Sequence, residues 1–134
     1  KKKIYSFNNI KKSESLILKQ LKINKISLIC LAGFMKILSS NFIKKFKGTI
    51  LNIHPSLLPR YKGLNTHERV LQNKEKFSGC TVHYVNSRLD SGKIILQAKV
   101  KISKKDTSSS LKKKILKQEH LLYRKAIKKV FFSL

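Results

Sequence analysis

Apolar and polar positions follow one another along the chain in a way that predicts helices and strands in turn. Residues 13–23 carry apolar side chains at helical spacing, and residues 26–32 form a continuous apolar run typical of a strand buried on both faces. A short helix at 39–46 and a second strand at 49–53 repeat this order. The succession of helix, strand, helix and strand predicts an α/β domain with parallel strands.

The ends of the first helix carry residues that favour capping. Ser13 is suited to the N-cap, and Asn24 is suited to a left-handed residue that ends the helix. The buried stripe of this helix is expected to contain Leu16, Ile17 and Leu21.

The last third of the chain changes to an alternating pattern. Residues 79–86 and 93–102 flank a polar turn, which predicts an antiparallel hairpin at the edge of the sheet. Beyond a serine-rich linker at 103–110, the pattern over 108–130 predicts a long helix. Its apolar stripe consists of Leu111, Ile115, Leu122, Ala126 and Val130. Residues 1–134 are enough for a single domain with one core.

The net charge of +25 comes from 31 basic and 6 acidic residues. Such a charge attracts polyanions, so binding of nucleic acid is an alternative function. The lysines are spread along the whole chain, however, and few of the basic residues are arginines, which are the usual readers of phosphates and bases. A solvated lysine-rich surface is therefore favoured over a nucleic-acid interface.

The cysteines and the apolar runs indicate the compartment. Cys30 and Cys80 lie far apart in the sequence and are expected to be buried free thiols in a reducing cytoplasm. The longest apolar run, 26–35, is too short to span a bilayer. The chain is therefore expected to be a cytoplasmic protein without a membrane partner.

The stretch LNIHPSLLPRYKGLNTH at 51–67 carries the strongest signal of chemistry. Asn52 and His54 alternate with Ile53, so both side chains point to the same face at the end of the predicted strand. Ligands of parallel sheets bind beyond this end of the strands. An amide can donate to a developing oxyanion, and an imidazole can donate a proton or supply a positive charge.

A carboxylate to accompany this pair is found in the turn of the predicted hairpin. Asp90 is favoured because the other acids lie at positions expected to be exposed or in linkers. Simpler interpretations remain open: His54 could be bonded to backbone, and Asp90 could form an Asx turn before Gly92. No metal is expected, because no metal-ligand spacing connects the other histidines, which are His67, His83 and His120.

Four segments carry a resemblance to a known family. AGFMKIL at 32–38, the stretch 51–67, LDSGKIILQAKV at 89–100 and QEH at 118–120 resemble the phosphoribosylglycinamide formyltransferases of purine synthesis. The HPSLLP element alone is shared with methionyl-tRNA formyltransferase and formyltetrahydrofolate deformylase, which remain alternatives. The continuation GLNTH is more specific to the first family.

The resemblance implies a reaction. The formyl group of 10-formyltetrahydrofolate would pass to the amine of N1-(5-phospho-D-ribosyl)glycinamide, so both partners are small molecules. Asn52, His54 and Asp90 match the catalytic residues of the family. By resemblance, Asn52 and a protonated His54 stabilise the tetrahedral oxyanion, while Asp90 keeps His54 charged and holds a water that carries the proton.

The resemblance also implies binding residues. The folate would be contacted by Met35, Lys36, Ile37, Leu38, Asn52, Val85, Asn86, Ser87, Arg88, Leu89 and Asp90. The second substrate would be contacted by Gly33, Pro55 and Glu119. From the residues alone, Met35, Ile37 and Leu38 would be assigned to core packing, and Glu119 to the exposed surface of a helix.

The implied fold is a partial Rossmann-like formyltransferase fold, with parallel strands, an antiparallel C-terminal hairpin and a long C-terminal helix. The chain matches the catalytic and folate-binding C-terminal portion of the family domain, and the Gly-rich phosphate loop of the N-terminal half has no counterpart in it. An uncovered sheet edge would invite a complementing N-terminal half or a second copy.

Overall fold

The computed structural model describes residue 4 and residues 9–132, which form a mixed four-stranded sheet packed with four helices. In chain order the elements are α1 (Ile10–Ile23), β1 (Leu28–Leu31), α2 (Ser40–Lys45), β2 (Thr49–His54), α3 (Thr66–Gln72), β3 (Phe77–Tyr84), β4 (Ile94–Lys101) and α4 (Ser108–Phe131). The predicted α/β class, with a C-terminal hairpin and a long C-terminal helix, is confirmed. None of the helices described is both long and apolar enough to cross a membrane.

The strands follow one another across the sheet in the order β1-β2-β3-β4. β1 and β2 are parallel as predicted, whereas β3 is antiparallel to both β2 and β4. The expectation that the whole hairpin lies at the edge is therefore wrong, since β3 lies inside the sheet. The chain re-enters the sheet at the end where β2 leaves it, so β3 runs back along β2 and sets His83 opposite Asn52.

The first strand differs most from its prediction. β1 covers only Leu28–Leu31 and pairs, within the described residues, with β2 alone. Its side chains are half-buried, and Cys30 is exposed rather than buried. The apolar run identified a strand correctly but not its burial, because burial depends on which neighbours cover it.

Two apolar clusters cover the two faces of the sheet. The prediction for α4 is confirmed, because all five residues of its stripe are buried. The cluster beneath α4 is formed by Ile53, Val70, Cys80, Val82, Leu111, Ile115, Leu122 and Ala126. The cluster beside α1 and α2 is formed by Leu38, Phe42, Phe46 and Ile50. The C-terminal end of β2 lies between these two packed layers.

α1 begins earlier than its pattern indicates. Asn9 is the N-cap and accepts from the amide of the third residue into the helix, so Ser13 lies inside the first turns. Asn24 has a φ of −90°, and the left-handed conformation falls on Lys25 instead. Leu16, expected in the buried stripe, is exposed. Lysines lie beside the first apolar residues, so the apolar pattern does not show at which residue the helix begins.

Glu14 is buried, although its place in the sequence indicated an exposed acid. Its carboxylate accepts from both the backbone amide and the hydroxyl of Ser39. Ser39 in turn caps α2 through the amide of Phe42, at 3.0 Å. A charged side chain thus links α1 to α2, and a contact over 25 residues in sequence cannot be inferred from local spacing.

The serine-rich segment expected to be a linker instead starts α4. Thr107 and Ser110 form a reciprocal capping box at its first turn. The preceding Asp106 accepts hydrogen bonds from Lys114 at 2.6 Å and from Ser110 at 2.8 Å. The contact with Lys114 is the main reason that the pKa of Asp106 is lowered to about 2. Serines therefore favour helix initiation here rather than flexibility.

Candidate active site

The end of β2 places Asn52 in the lining of a cleft and His54 next to Asp90, another residue of that lining. Asn52 is half-buried and His54 is buried. β2 ends at His54, and Pro55 follows it directly, which restricts His54 to extended geometry. Pairing with β3 places His83 across from Asn52 and Thr81 across from His54.

His54 contacts an acceptor with each ring nitrogen. Its Nε2 donates to the carbonyl oxygen of Tyr61 at 2.8 Å, and its Nδ1 lies 3.4 Å from Oδ2 of Asp90. A carbonyl can only accept, so Nε2 must carry a proton. The Asp90 carboxylate thus lies on the side of the ring opposite the Tyr61 carbonyl, where it can pair with Nδ1.

The side chain of Asp90 is buried between two imidazoles. Its Oδ2 accepts from the amide of Gly63 at 2.9 Å, and its Oδ1 lies 3.8 Å from Nε2 of His83. The residue adopts a left-handed conformation, with a φ of 45°. Because its carboxylate is bonded to a separate loop rather than to its own turn, the Asx-turn interpretation does not describe it. The predicted proximity of Asp90 to His54 is present in the structure.

His83 is a member of this cluster that sequence reasoning assigned only to a strand. Its Nδ1 donates to the carbonyl of Tyr84 at 2.8 Å, which leaves Nε2 to accept from Nδ2 of Asn52 at 3.4 Å. Burial lowers the pKa of His83, so the neutral ring is favoured. His83 thus fixes the orientation of the Asn52 amide. The place of His83 beside Asn52 follows from the register between β2 and β3, and that register cannot be predicted from the sequence.

The proline-bracketed loop after His54 is held by side chains of β3 and β4. Thr81 donates to the carbonyl of Ser56 at 2.7 Å and accepts from the amide of Leu58 at 3.1 Å. Gln97 donates to the carbonyl of Leu58 at 2.9 Å, and the peptide bond between Leu58 and Pro59 is cis. These hydrogen bonds attach the loop to the sheet and so fix where the following residues begin.

An open cleft adjoins this cluster. Nine of the predicted folate contacts line it: Lys36, Ile37, Leu38, Asn52, Val85, Asn86, Arg88, Leu89 and Asp90. Met35 and Ser87 do not line the cleft, and Met35 is 79% exposed. Core packing, the interpretation from the residues alone, is wrong for Met35 and for Ile37, which is 59% exposed, and correct for Leu38.

The three predicted contacts of the second substrate lie outside the lining of this cleft. Gly33 has a φ of 61°, and a side chain there would meet nothing within 4 Å. Pro55 adjoins His54. Glu119 is half-buried on α4 rather than exposed, and burial raises the pKa of its carboxyl. Within the described residues, no group of three or more potential ligands could hold a metal ion.

A third imidazole, that of His67, lies near enough to the site for the charge of His54 to act on it. His67 lies in the first turn of α3, and its Nδ1 is buried without a hydrogen-bond partner. Burial lowers the pKa of His67, and the positive charges of Lys112 and His54 lower it further. The neutral imidazole is therefore favoured at both His67 and His83 in the folded protein.

We expect the protein to become less stable in acid. The imidazoles of the unfolded chain take up protons near pH ~6.5, whereas the folded pKa values of His67 and His83 are lower. The unfolded state then binds more protons, so the free energy of unfolding should fall as the pH drops through about 6.5. Urea denaturation at pH 7.5 and 5.5 measures this fall. It should be smaller in His67→Gln, and an identical pH dependence in that variant would contradict the assignment.

Comparisons with known proteins identify relatives of this chain. A family model described as formyl transferase matches residues 1–127. The phosphoribosylglycinamide formyltransferase of Haemophilus influenzae is 43% identical over 123 residues, 92% of this chain and 58% of that protein. The trifunctional purine biosynthetic protein adenosine-3 of Drosophila melanogaster is 47% identical over 109 residues, 81% of this chain and 8% of that protein. The crystal structure of phosphoribosylglycinamide formyltransferase from Brucella melitensis matches with a TM-score of 0.84 and 46% identity, over 92% of this chain and 63% of that one.

The chain thus spans less than two thirds of each of these relatives. The family match nevertheless includes every element from α1 to β4 and most of α4. Sequence identity above 40% accompanies the similarity in fold, so the likeness extends beyond the architecture. The chain belongs to the formyl transferase family.

Proposed function

We propose that this protein carries the catalytic and folate-binding portion of a phosphoribosylglycinamide formyltransferase. It transfers the formyl group of 10-formyltetrahydrofolate to the amine of N1-(5-phospho-D-ribosyl)glycinamide, a step of purine synthesis. The observation that carries the proposal is that Asn52 and Asp90 line one cleft and that His54 lies directly behind Asp90, with its Nδ1 3.4 Å from Asp90 Oδ2. The names of the relatives supply the substrate class.

The geometry supports stabilisation of a tetrahedral intermediate. Attack of the amine on the formyl carbon places negative charge on the formyl oxygen. One hydrogen of the Asn52 amide is directed at His83, which leaves the second for that oxygen. A positive charge on His54 stabilises the same oxyanion. One such donor is worth about 3 kcal/mol in the transition state.

Asp90 has two tasks in this mechanism. As a buried carboxylate beside His54, it favours the charged ring. Its other oxygen, Oδ1, faces the cleft side near His83 and can hold a water that removes the proton from the attacking amine and delivers it to the leaving nitrogen of the folate. Proton transfer of this kind contributes a factor of about 10² to 10⁴.

The cleft is suited to a flat, partly polar ring system. Ile37, Leu38 and Val85 supply apolar walls, whereas Asn86 and Arg88 supply polar groups at the rim. A mostly apolar pocket with a few polar groups is the usual form of a cofactor site. We propose that the pterin ring of the folate occupies this cleft.

The second substrate would lie on the opposite side of Asn52. Gly33 offers an open backbone position, Pro55 adjoins the catalytic imidazole, and Glu119 presents a half-buried carboxylate that can accept from sugar hydroxyls. We propose these three residues as contacts of the ribonucleotide.

The phosphate of that substrate needs a site that the proposed contacts do not provide. We propose that the part of the relatives beyond the matched region supplies it, and that a strand of this part pairs with the edge of β1 to extend a Rossmann-like sheet. β1 is half-buried and carries an exposed Cys30, as expected of a strand that pairs further. A second copy of this chain is the alternative occupant.

Other functions are less well supported. The relatives named above are phosphoribosylglycinamide formyltransferases or a purine biosynthetic protein, which favours this reaction over tRNA formylation or folate deformylation. Lysines spread over the chain do not favour nucleic acid. The free thiols of Cys30 and Cys80 agree with a reducing cytoplasm as the proposed location.

Folate binding tests the proposed cleft. Calorimetric titration with a non-reactive analogue of 10-formyltetrahydrofolate should show one site, and Ile37→Asp should weaken binding at least tenfold by placing a charge against the pterin. Ile26→Asp is the matched control, because Ile26 is also an exposed apolar side chain but lies outside the cleft. Equal affinities of the two variants for the analogue would exclude the cleft as the folate-binding site. Salt-dependent binding of RNA with no folate binding would favour the nucleic-acid alternative.

A further inference from the structure

One short loop orients both titratable groups of the proposed reaction. The carbonyl of Tyr61 accepts from His54 Nε2 at 2.8 Å, and the amide of Gly63 donates to Asp90 Oδ2 at 2.9 Å. These backbone groups lie two residues apart. A shift of the loop would therefore move the partners of His54 and Asp90 together.

The loop has a conformation that its residues do not favour by themselves. Tyr61 has a φ of 56° and Asn65 a φ of 55°, both in the left-handed region, and Gly63 has a φ of 78°. Residues other than glycine adopt this region rarely and keep it only where surrounding contacts hold them. The position of the loop thus depends on contacts from other elements.

Arg69 of α3 supplies contacts to the centre of the loop. Its Nη1 donates to the carbonyl of Lys62 at 2.6 Å and to that of Leu64 at 3.2 Å. These carbonyls flank Gly63, whose amide holds Asp90. The guanidinium also lies 5.4 Å from the centroid of the Tyr61 ring. A charged planar donor of this kind holds two acceptors in a fixed geometry.

Other contacts hold the Tyr61 side chain without Arg69. The hydroxyl of Tyr61 donates to Glu75 at 2.7 Å and accepts from Asn73 at 3.1 Å. The ring should therefore remain attached to the end of α3 when Arg69 is replaced. The backbone between Lys62 and Leu64, in contrast, would lose both hydrogen bonds from the guanidinium.

We propose that Arg69 is a positioning residue for formyl transfer, acting through the backbone of residues 61–64 on His54 and Asp90 at once. The inference rests on the proposed function for its kinetic part. Arg69 does not line the folate cleft, so its removal should misplace the reacting groups without weakening folate binding.

Kinetics of Arg69→Met, Arg69→Lys and Arg69→Gly test the proposal. Misplacement of reacting groups by about 1 Å can lower the rate about 10²-fold, so kcat of Arg69→Met should fall between about 10-fold and 100-fold. The KM of Arg69→Met for the folate should change less than about twofold. Arg69→Lys should keep more activity than Arg69→Met. Guanidinium ion at millimolar concentration should restore part of the activity of Arg69→Gly. Arg124→Ala, an exposed arginine on α4, is the matched control. An unchanged kcat in Arg69→Met would overturn the proposal.

A readout independent of activity separates this inference from the proposed function. The ring nitrogens of His54 can be followed by NMR in the full chain, with the exposed His120 as an internal reference. Arg69→Met should alter the His54 Nε2–H signal and leave that of His120 unchanged. If the wild-type protein transfers no formyl group, a changed His54 signal still supports the positioning role, and an unchanged one overturns it.

Discussion

Replacing His54 by alanine is expected to lower kcat/KM for formyl transfer by about 10³-fold or more. In the proposed mechanism, the change removes a cation beside the developing oxyanion, worth about 3 kcal/mol, and disrupts the proton relay through Asp90, worth a factor of about 10² to 10⁴. His54 is buried, its Nε2 donates to the carbonyl of Tyr61 and its Nδ1 lies 3.4 Å from Asp90, so alanine removes both contacts. Steady-state kinetics with 10-formyltetrahydrofolate and the ribonucleotide measure the loss.

Two further measurements show whether the loss comes from the charge of His54 and whether folate binding is affected. His54→Gln keeps a hydrogen-bond donor but cannot carry the positive charge, so it should be nearly as inactive as His54→Ala. Affinity for the folate analogue should change little in both variants, because His54 does not line the folate cleft. If His54→Gln kept most of the wild-type rate, the charge on His54 would not contribute to the reaction.

Replacing Ile115 by alanine is expected to lower the free energy of unfolding by about 3 kcal/mol. Ile115 is 1% exposed and lies in the apolar cluster between α4 and the sheet. Removal of a large aliphatic side chain from such a place destabilises proteins by about 2–5 kcal/mol, because contacts are lost and a cavity remains. Urea denaturation at pH 7.5 measures the change.

The next residue of the same helix provides the control. Leu116 is 44% exposed, so Leu116→Ala should change the free energy of unfolding by less than about 1 kcal/mol. Equal losses in the two variants would mean that α4 does not bury the face assigned to it.

Elements with a long regular pattern were predictable from the sequence. The helical period in α4 extends over six turns, and every residue of its predicted stripe is buried. β1 was predicted as a strand but not as an edge strand, because an apolar run does not reveal how many neighbours a strand has. Glu14 is buried although its position predicts exposure, because its partner Ser39 is distant in sequence. Local spacing thus predicts local structure, whereas burial of single residues depends on the tertiary fold.

The candidate site was predictable as far as it depends on one strand end and one turn. Asn52 and His54 share a strand face by its period of two, and Asp90 was selected because few acids compete with it. His83 was not identified, because only the antiparallel register of β2 and β3 sets it beside Asn52. The carbonyl of Tyr61 and the amide of Gly63 could not be identified either, since every residue carries such groups and only a folded loop directs them.

Transfer of an isotopically labelled formyl group tests the proposed reaction most directly. Labelled 10-formyltetrahydrofolate is incubated with the ribonucleotide and this chain, first alone and then with the N-terminal region of the Haemophilus influenzae relative added, and the product is detected by mass. We predict labelled formylglycinamide product that depends on the chain and is absent with His54→Ala. Label no higher than that of His54→Ala in both arms would contradict the proposed function.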